Sequence, residues 1–213
     1  MNKKNIKFKH RADIIQSAAF DGFSSYGEFL DFTKQWVSLV QENLKKDSSL
    51  YIFFGAQYIS DLYHICMDLG FTYKGIIVWH KTNPAPKIRK SGYLSSTELI
   101  LFLQQGDPTF NFLGQNEMHN FIETPLCMGN ERLRAKKKNR KGKYPTLHPT
   151  QKPEKVVSKF IQVSSSPSDW VLDPFVGTGT INKVCQDLDR NCLGIDSNPD
   201  YVNAARDRLE DSY

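Results

Sequence analysis

Apolar positions along the chain switch repeatedly between helical spacing and short continuous runs. Phe29, Phe32, Trp36, Val37, Val40 and Leu44 recur at helical intervals, and Ser24 or Ser25 can cap the helix they predict. Ser49-Leu-Tyr-Ile-Phe-Phe-Gly55 is an aromatic-rich apolar run and predicts a buried strand. A helix follows from about Ile59 to Leu69, with Gly70 placed as its C-cap. Lys74 to His80 reads as a second strand. Asn83-Pro-Ala-Pro86 forces turn or extended geometry, and Glu98 to Leu103 reads as a third strand. From Asp107 to Tyr144 periodicity disappears over a length too great for an ordinary loop, which predicts a functional insertion. Beyond it come a helix from Glu154 to Val163, a strand from Trp170 to Asp173, a helix from Ile181 to Leu188, a strand from Cys192 to Asp196 and a last helix from Pro199 to about Leu209. This alternation predicts an α/β fold with a mostly parallel sheet covered on both faces.

Composition changes the picture little. Hydrophobic residues make up 39% and charged residues 24%, so the chain can build a core and is not of the disordered class. Charge location matters more than the net value of +5. The segment Arg132–Lys143 is dominated by Lys and Arg and holds no acid; without it the remainder is net negative. A basic run of this kind is the footprint of a polyanion contact. Cys66, Cys127, Cys185 and Cys192 form no C-x-x-C pair and read as reduced core thiols, and the histidines lack ligand spacing, so no metal is expected. The N-terminus has no apolar run of signal type and no stretch reaches membrane-spanning length. A cytoplasmic protein without a membrane partner is the expectation.

The sharpest chemical signal is Asp173-Pro-Phe-Val-Gly-Thr-Gly-Thr180, set between a buried strand and a helix. Gly177 and Gly179 let a ligand lie against the backbone and the helix N-terminus. Asp196 ends the next strand, where a carboxylate can accept from both hydroxyls of a ribose. The pattern is neither the dinucleotide G-x-G-x-x-G nor the phosphate-binding G-x-x-x-x-G-K-[ST]. That weighs against a nicotinamide-dependent oxidoreductase.

Together with His148-Pro-Thr-Gln-Lys-Pro153 upstream, the segment resembles the two cofactor motifs of DNA methyltransferases that modify exocyclic amino groups, adenine N6 or cytosine N4. The turn Thr82–Pro86 and the segment Tyr93–Glu98 fit the same family, so the resemblance covers nearly the whole chain. It implies a Rossmann-like sheet that binds S-adenosylmethionine. Asp173, Phe175, Gly177, Thr178, Gly179 and Thr180 would line the cofactor pocket, Asp196 would hold the ribose, and Thr150 and Lys152 would sit near the methionine end. The motif order resembles the permuted subgroup in which the cofactor motifs come last. The implied division is 1–106 for the catalytic-side half, 107–147 for a basic target-recognition insertion and 148–213 for the cofactor-binding half.

By the same resemblance the substrate is double-stranded DNA, with adenine N6 favoured. Arg132, Arg134, Lys136, Lys137, Lys138, Arg140, Lys141 and Lys143 would contact phosphates, and Lys81 and Asn83 would face the target base. The family also uses an Asp/Asn/Ser-Pro-Pro-aromatic tetrapeptide, whose acceptors bind the amino hydrogens and whose ring stacks on the flipped base. This chain contains no Pro-Pro dipeptide, so no catalytic residue is assigned. The expectation is a sheet incomplete at its N-terminal side. The chain would then be a truncated methyltransferase, a degenerate DNA- or cofactor-binding remnant, or one part of a split enzyme whose partner supplies the strand, unless Asn5–His10 slips in as a substitute strand; a homodimer is the other expected assembly.

Overall fold

A computed structural model describes residues 22–135, 139 and 142–210. Helix α1 (Tyr26–Asn43) begins where the Ser25 hydroxyl accepts from the Glu28 N–H, while the Glu28 carboxylate accepts from the backbone and hydroxyl of Ser24. These reciprocal bonds satisfy donors that a helix start leaves open. The inward stripe Thr33, Val37 and Val40 is buried, as the helical spacing requires.

Strand β1 (Ser48–Phe54) leads to helix α2 (Ile59–Asp68), then β2 (Thr72–Lys81) and β3 (Thr97–Gln105). These strands and β4 (Phe121–Thr124) form one sheet in the order β1-β3-β2-β4. Strand β3 runs antiparallel to both neighbours, and β4 is parallel to β2. This corrects the expectation of a mostly parallel sheet. A parallel neighbour needs a crossover, commonly a helix, and the Pro-rich stretch after β2 holds none, so the chain returns from the same end. Strand β4 lies inside the stretch that shows no periodicity. Four residues are too few to display a period, although Ile122 and Thr124 are buried and Phe121 and Glu123 are not.

Alternating side chains give this sheet two apolar faces. Ile52, Leu101 and Leu103 pack against Val37, Leu62 and Cys66 on α1 and α2. On the other face Ile100, Trp79 and Ile122 pack against Val156 and Phe160 of helix α3 (Glu154–Ser164). Tyr51 stacks between Phe102 and Phe160, with ring centroids 4.5 and 4.6 Å away, and its hydroxyl lies 2.7 Å from that of Ser164.

Helix α3 carries a second stripe. Val157 and Ile161 pack on Val184 and Cys185 of helix α4 (Thr180–Asp187). That helix covers a separate parallel pair, β5 (Trp170–Asp173) and β6 (Asn191–Gly194), and helix α5 (Pro199–Glu210) follows. So α3 joins the four-stranded sheet to the two-stranded one. Among the described residues, β1 is paired only with β3 and β5 only with β6, which leaves one edge of each without a strand neighbour. The Asn5–His10 segment lies outside the described residues. Among those described, no helix is long and apolar enough to cross a membrane.

Candidate functional site

The chain leaving β5 folds into a tight turn held by its own backbone. Phe175 N–H donates to Asp173 Oδ1 at 3.1 Å, Val176 N–H to the Ile195 carbonyl at 2.8 Å, and Gly179 N–H to the Val176 carbonyl at 2.8 Å. Gly177 and Gly179 take φ of 49° and 71°, the left-handed region that glycine enters without strain. At Gly179 there is a second reason. A Cβ there would stand 2.7 Å from that of Ala205, so α5 seats on the turn only because the side chain is missing.

Asp196 is fixed from both sides. Its Oδ2 accepts from Gly177 N–H at 2.9 Å and its Oδ1 from Asn198 N–H at 2.9 Å. The turn therefore presents an oriented carboxylate that still has lone pairs for a ligand. Half-exposed Phe175 and Ile195 flank it as apolar walls. Phe175 also meets Trp36 of α1 edge-on at 5.4 Å, which brings the first helix to the turn.

Asp173 is buried, and burial with the neighbouring Asp196 charge pushes its carboxyl up to about 6, against the opposing pull of the Phe175 N–H. An acid raised in the folded state binds more protons than the unfolded chain, so stability falls as pH rises from about 4 to 6 and then levels. Asp173→Asn should remove that slope in urea denaturation, and a slope identical to wild type would exclude Asp173 as its origin.

His148 and Tyr201 form a wall that motif reading did not select as site residues. The His148 ring lies 3.4 Å from where a Gly177 Cβ would stand, and it meets Tyr201 edge-on at 4.8 Å. Burial holds the His148 imidazole below its usual range, although the Asp196 charge works the other way. The signal was present in the His148–Pro153 segment; the packing that gives the ring its place was not.

Other site candidates differ in burial and in what they touch. Thr178 and Thr180 are buried. The Thr178 carbonyl and the Thr180 hydroxyl both accept from Arg208, and the Thr180 hydroxyl donates to the Lys152 carbonyl at 3.2 Å. Arg208 also pairs with Glu154, which ties α3 to α5 behind the turn. Thr150 is exposed, with its N–H 3.3 Å from His148 Nδ1.

Lys152 and Lys81 share one carboxylate. Glu98 Oε2 lies 2.7 Å from Lys152 Nζ and Glu98 Oε1 lies 3.0 Å from Lys81 Nζ. Lys152 also lies over the rings of Phe53 at 5.0 Å and Trp79 at 5.9 Å. Burial alone would raise the Glu98 carboxyl, but the two ammonium groups outweigh it and hold it below the usual range. The cluster stands where β2 ends and β3 begins, and it locks the His148–Pro153 segment to that end of the sheet.

The DNA candidates are similarly divided. Lys81 is buried against Glu98. Asn83 Oδ1 accepts from Leu126 N–H at 2.6 Å, and the Arg132 guanidinium donates to Thr146 and to the carbonyls of Cys127 and Pro149. Asn83 and Arg132 brace the insertion, while Lys81 is held by Glu98 and the Ser95 carbonyl. Arg134 and Lys143 are exposed on a hairpin-like excursion closed by an Arg134–Thr146 bridge. Lys136, Lys137, Lys138, Arg140 and Lys141 lie outside the described residues.

A family model described as DNA methylase matches residues 3–207. The chain is 32% identical over 210 residues to the type II methyltransferase M.HpaI of Haemophilus parainfluenzae, covering 89% of this chain and 62% of that protein. It is 32% identical over 203 residues to M2.DpnII of Streptococcus pneumoniae, covering 92% and 73%. A third relative, M.HinfI of Haemophilus influenzae, is spanned over 54% of its length, so the chain matches only part of these proteins. The fold superposes on the crystal structure of an M1.HpyAVI–SAM complex with a TM-score of 0.72 and 29% identity, covering 84% of this chain and 83% of that one. PvuII DNA methyltransferase, described as cytosine-N4-specific, shares the fold at a TM-score of 0.71 and 19% identity, covering 86% and 71%. The chain belongs to the N6/N4 DNA methylase family.

Proposed function

We propose that this chain serves transfer of a methyl group from S-adenosylmethionine to an exocyclic amino group in double-stranded DNA, adenine N6 favoured and cytosine N4 the other acceptor. The observation that carries the reading is the carboxylate pair at the glycine turn. Asp173 and Asp196 converge on it between apolar side chains, and that set of anionic acceptors suits a ligand bearing hydroxyls, an ammonium and a sulfonium. It would repel the pyrophosphate of a nicotinamide dinucleotide. M1.HpyAVI, with the same fold, was crystallised with SAM.

When bound, S-adenosylmethionine supplies a methyl group already activated by sulfonium charge. Asp196 would accept hydrogen bonds from the ribose hydroxyls, Phe175 and Ile195 would offer apolar contact to the adenosine, and His148 would close the side at Gly177. What remains is positioning of the acceptor nitrogen beside the methyl group. Its lone pair is delocalised into the base, so acceptors must bind the amino hydrogens to make it nucleophilic.

No residue of the 213 forms the Asp/Asn/Ser-Pro-Pro-aromatic motif that would supply those acceptors. We assign them to an added strand that pairs between the open edges that the described residues leave on β1 and β5. Unpaired backbone groups in apolar surroundings cost roughly 1–3 kcal/mol each, so both edges favour an added strand. A second copy could pair with an edge but would bring no motif. The open edges also favour a second reading, an inactive remnant that binds cofactor without turnover. Such chemistry belongs in the cytoplasm, with the DNA.

Labelled S-adenosylmethionine, unmethylated DNA and digestion to nucleosides test this. The chain alone should bind cofactor without transferring label, and label should reach adenine once a strand carrying the motif is added, as an N-terminal extension or as a separate polypeptide. Label transferred by the chain alone would overturn the assignment of the strand but keep the reaction. Absence of cofactor binding would overturn the reaction itself.

A further inference from the structure

Strands β2 and β3 are antiparallel and in register up to the pair His80–Thr97, yet residues 82–96 separate them. Antiparallel neighbours usually need only two to five connecting residues. The excess projects beyond the end of the sheet that holds Lys81, Glu98 and Lys152. It is anchored rather than loose. Lys81 N–H donates to the Ser96 carbonyl at 2.7 Å, and Asn83 is bonded to Leu126 and Met128 of the insertion. Lys87 Nζ donates to the Tyr93 carbonyl at 3.1 Å and closes the tip. Within the tip Lys90 takes a φ of 49°, a left-handed conformation that costs a non-glycine residue energy and is commonest where a segment has a task.

This anchored tip buries almost nothing. Tyr93 is 97% exposed and Ile88 76%, with Lys87, Arg89 and Lys90 exposed beside them. No acidic residue occurs between Lys81 and Glu98. A rigidly presented aromatic among uncompensated cations matches a nucleic acid, which offers base faces for stacking and phosphates for the cations. Through Asn83 the base of the loop adjoins the insertion that carries Arg134 and Lys143, so the two basic elements approach one ligand from adjoining positions.

We infer that residues 82–96 form a second DNA-contacting element, with Tyr93 stacking on a base and Arg89 and Lys90 neutralising phosphates. The inference rests on the DNA-methyltransferase reading above. Each variant changes an exposed side chain, so folding is not at stake, and thermal melting checks that.

Fluorescence anisotropy with a duplex holding one unpaired adenine, titrated across salt, tests it. Arg89→Ser with Lys90→Ser should lower the slope of log affinity against log salt by about 2. Tyr93→Ala should weaken binding about tenfold at fixed salt without changing the slope, and Tyr93→Phe should restore it. Cofactor affinity should be unchanged in all three. Wild-type affinity and slope in every variant would overturn the loop contact while leaving DNA binding, and so the functional reading, intact. A parent protein that binds no DNA would overturn both.

Discussion

Replacing Glu98 by Ala should lower the unfolding free energy by about 3 kcal/mol, the low end for breaking a buried ion pair from one side. The reason is what is left behind. Lys81 has a side chain only 10% exposed and Lys152 one of 26%, and both take their charge compensation from this carboxylate. Without it, two ammonium groups are left beside the Trp79 and Phe53 rings with no anion between them. Glu98→Gln keeps an acceptor for one of them and should cost clearly less.

The pH dependence separates charge from shape. The folded carboxyl is held below its usual range, so its contribution is present above the unfolded carboxylate pKa and is lost as pH falls below it. Wild type should therefore lose stability on acidification more steeply than Glu98→Gln. Urea midpoints at pH 7 and pH 4 measure both effects. An Ala variant as stable as wild type would mean that the two lysines find other partners, and the cluster would then not be what locks the His148–Pro153 segment to the sheet.

That cluster also marks the boundary of what the sequence could disclose. Glu98, Lys81 and Lys152 meet across tens of residues, and nothing local to any of them announces the encounter. Lys152 and Lys81 read as a cofactor residue and a DNA residue, and neither reading gives any sign that they share the Glu98 carboxylate. The Arg208 brace behind the turn was equally silent, because it depends on how α3 and α5 pack. The glycine turn was legible because its reasons are local. Gly177 and Gly179 need positive φ, and Asp196 lies two residues beyond the strand that pairs with β5.

Most helices and strands were legible for the same reason. Periodicity and caps placed α1 and α3 within one or two residues. Strand β4 was too short to show a period, and the antiparallel direction of β3, signalled only by the missing crossover helix, was missed in the expectation of a mostly parallel sheet.

Asp196→Ala should raise the dissociation constant for S-adenosylmethionine at least a hundredfold. Both carboxylate oxygens are held in place by backbone donors, from Gly177 on one side and Asn198 on the other, so the group meets a ribose diol already oriented. A hydrogen bond to a charged acceptor contributes about 1.5–3 kcal/mol, and two of them exceed a factor of a hundred. Asn in its place keeps one acceptor oxygen and loses the charge, and should fall between. Calorimetric titration reads the affinities, and anisotropy with duplex DNA should show no change, since the bonds of Asp196 are to Gly177 and Asn198 at the glycine turn. If Ala binds within threefold of wild type, the ribose is held elsewhere and the carboxylate serves only to shape the turn. The melting temperature then becomes the informative quantity, because the two freed N–H groups would be the whole of its loss.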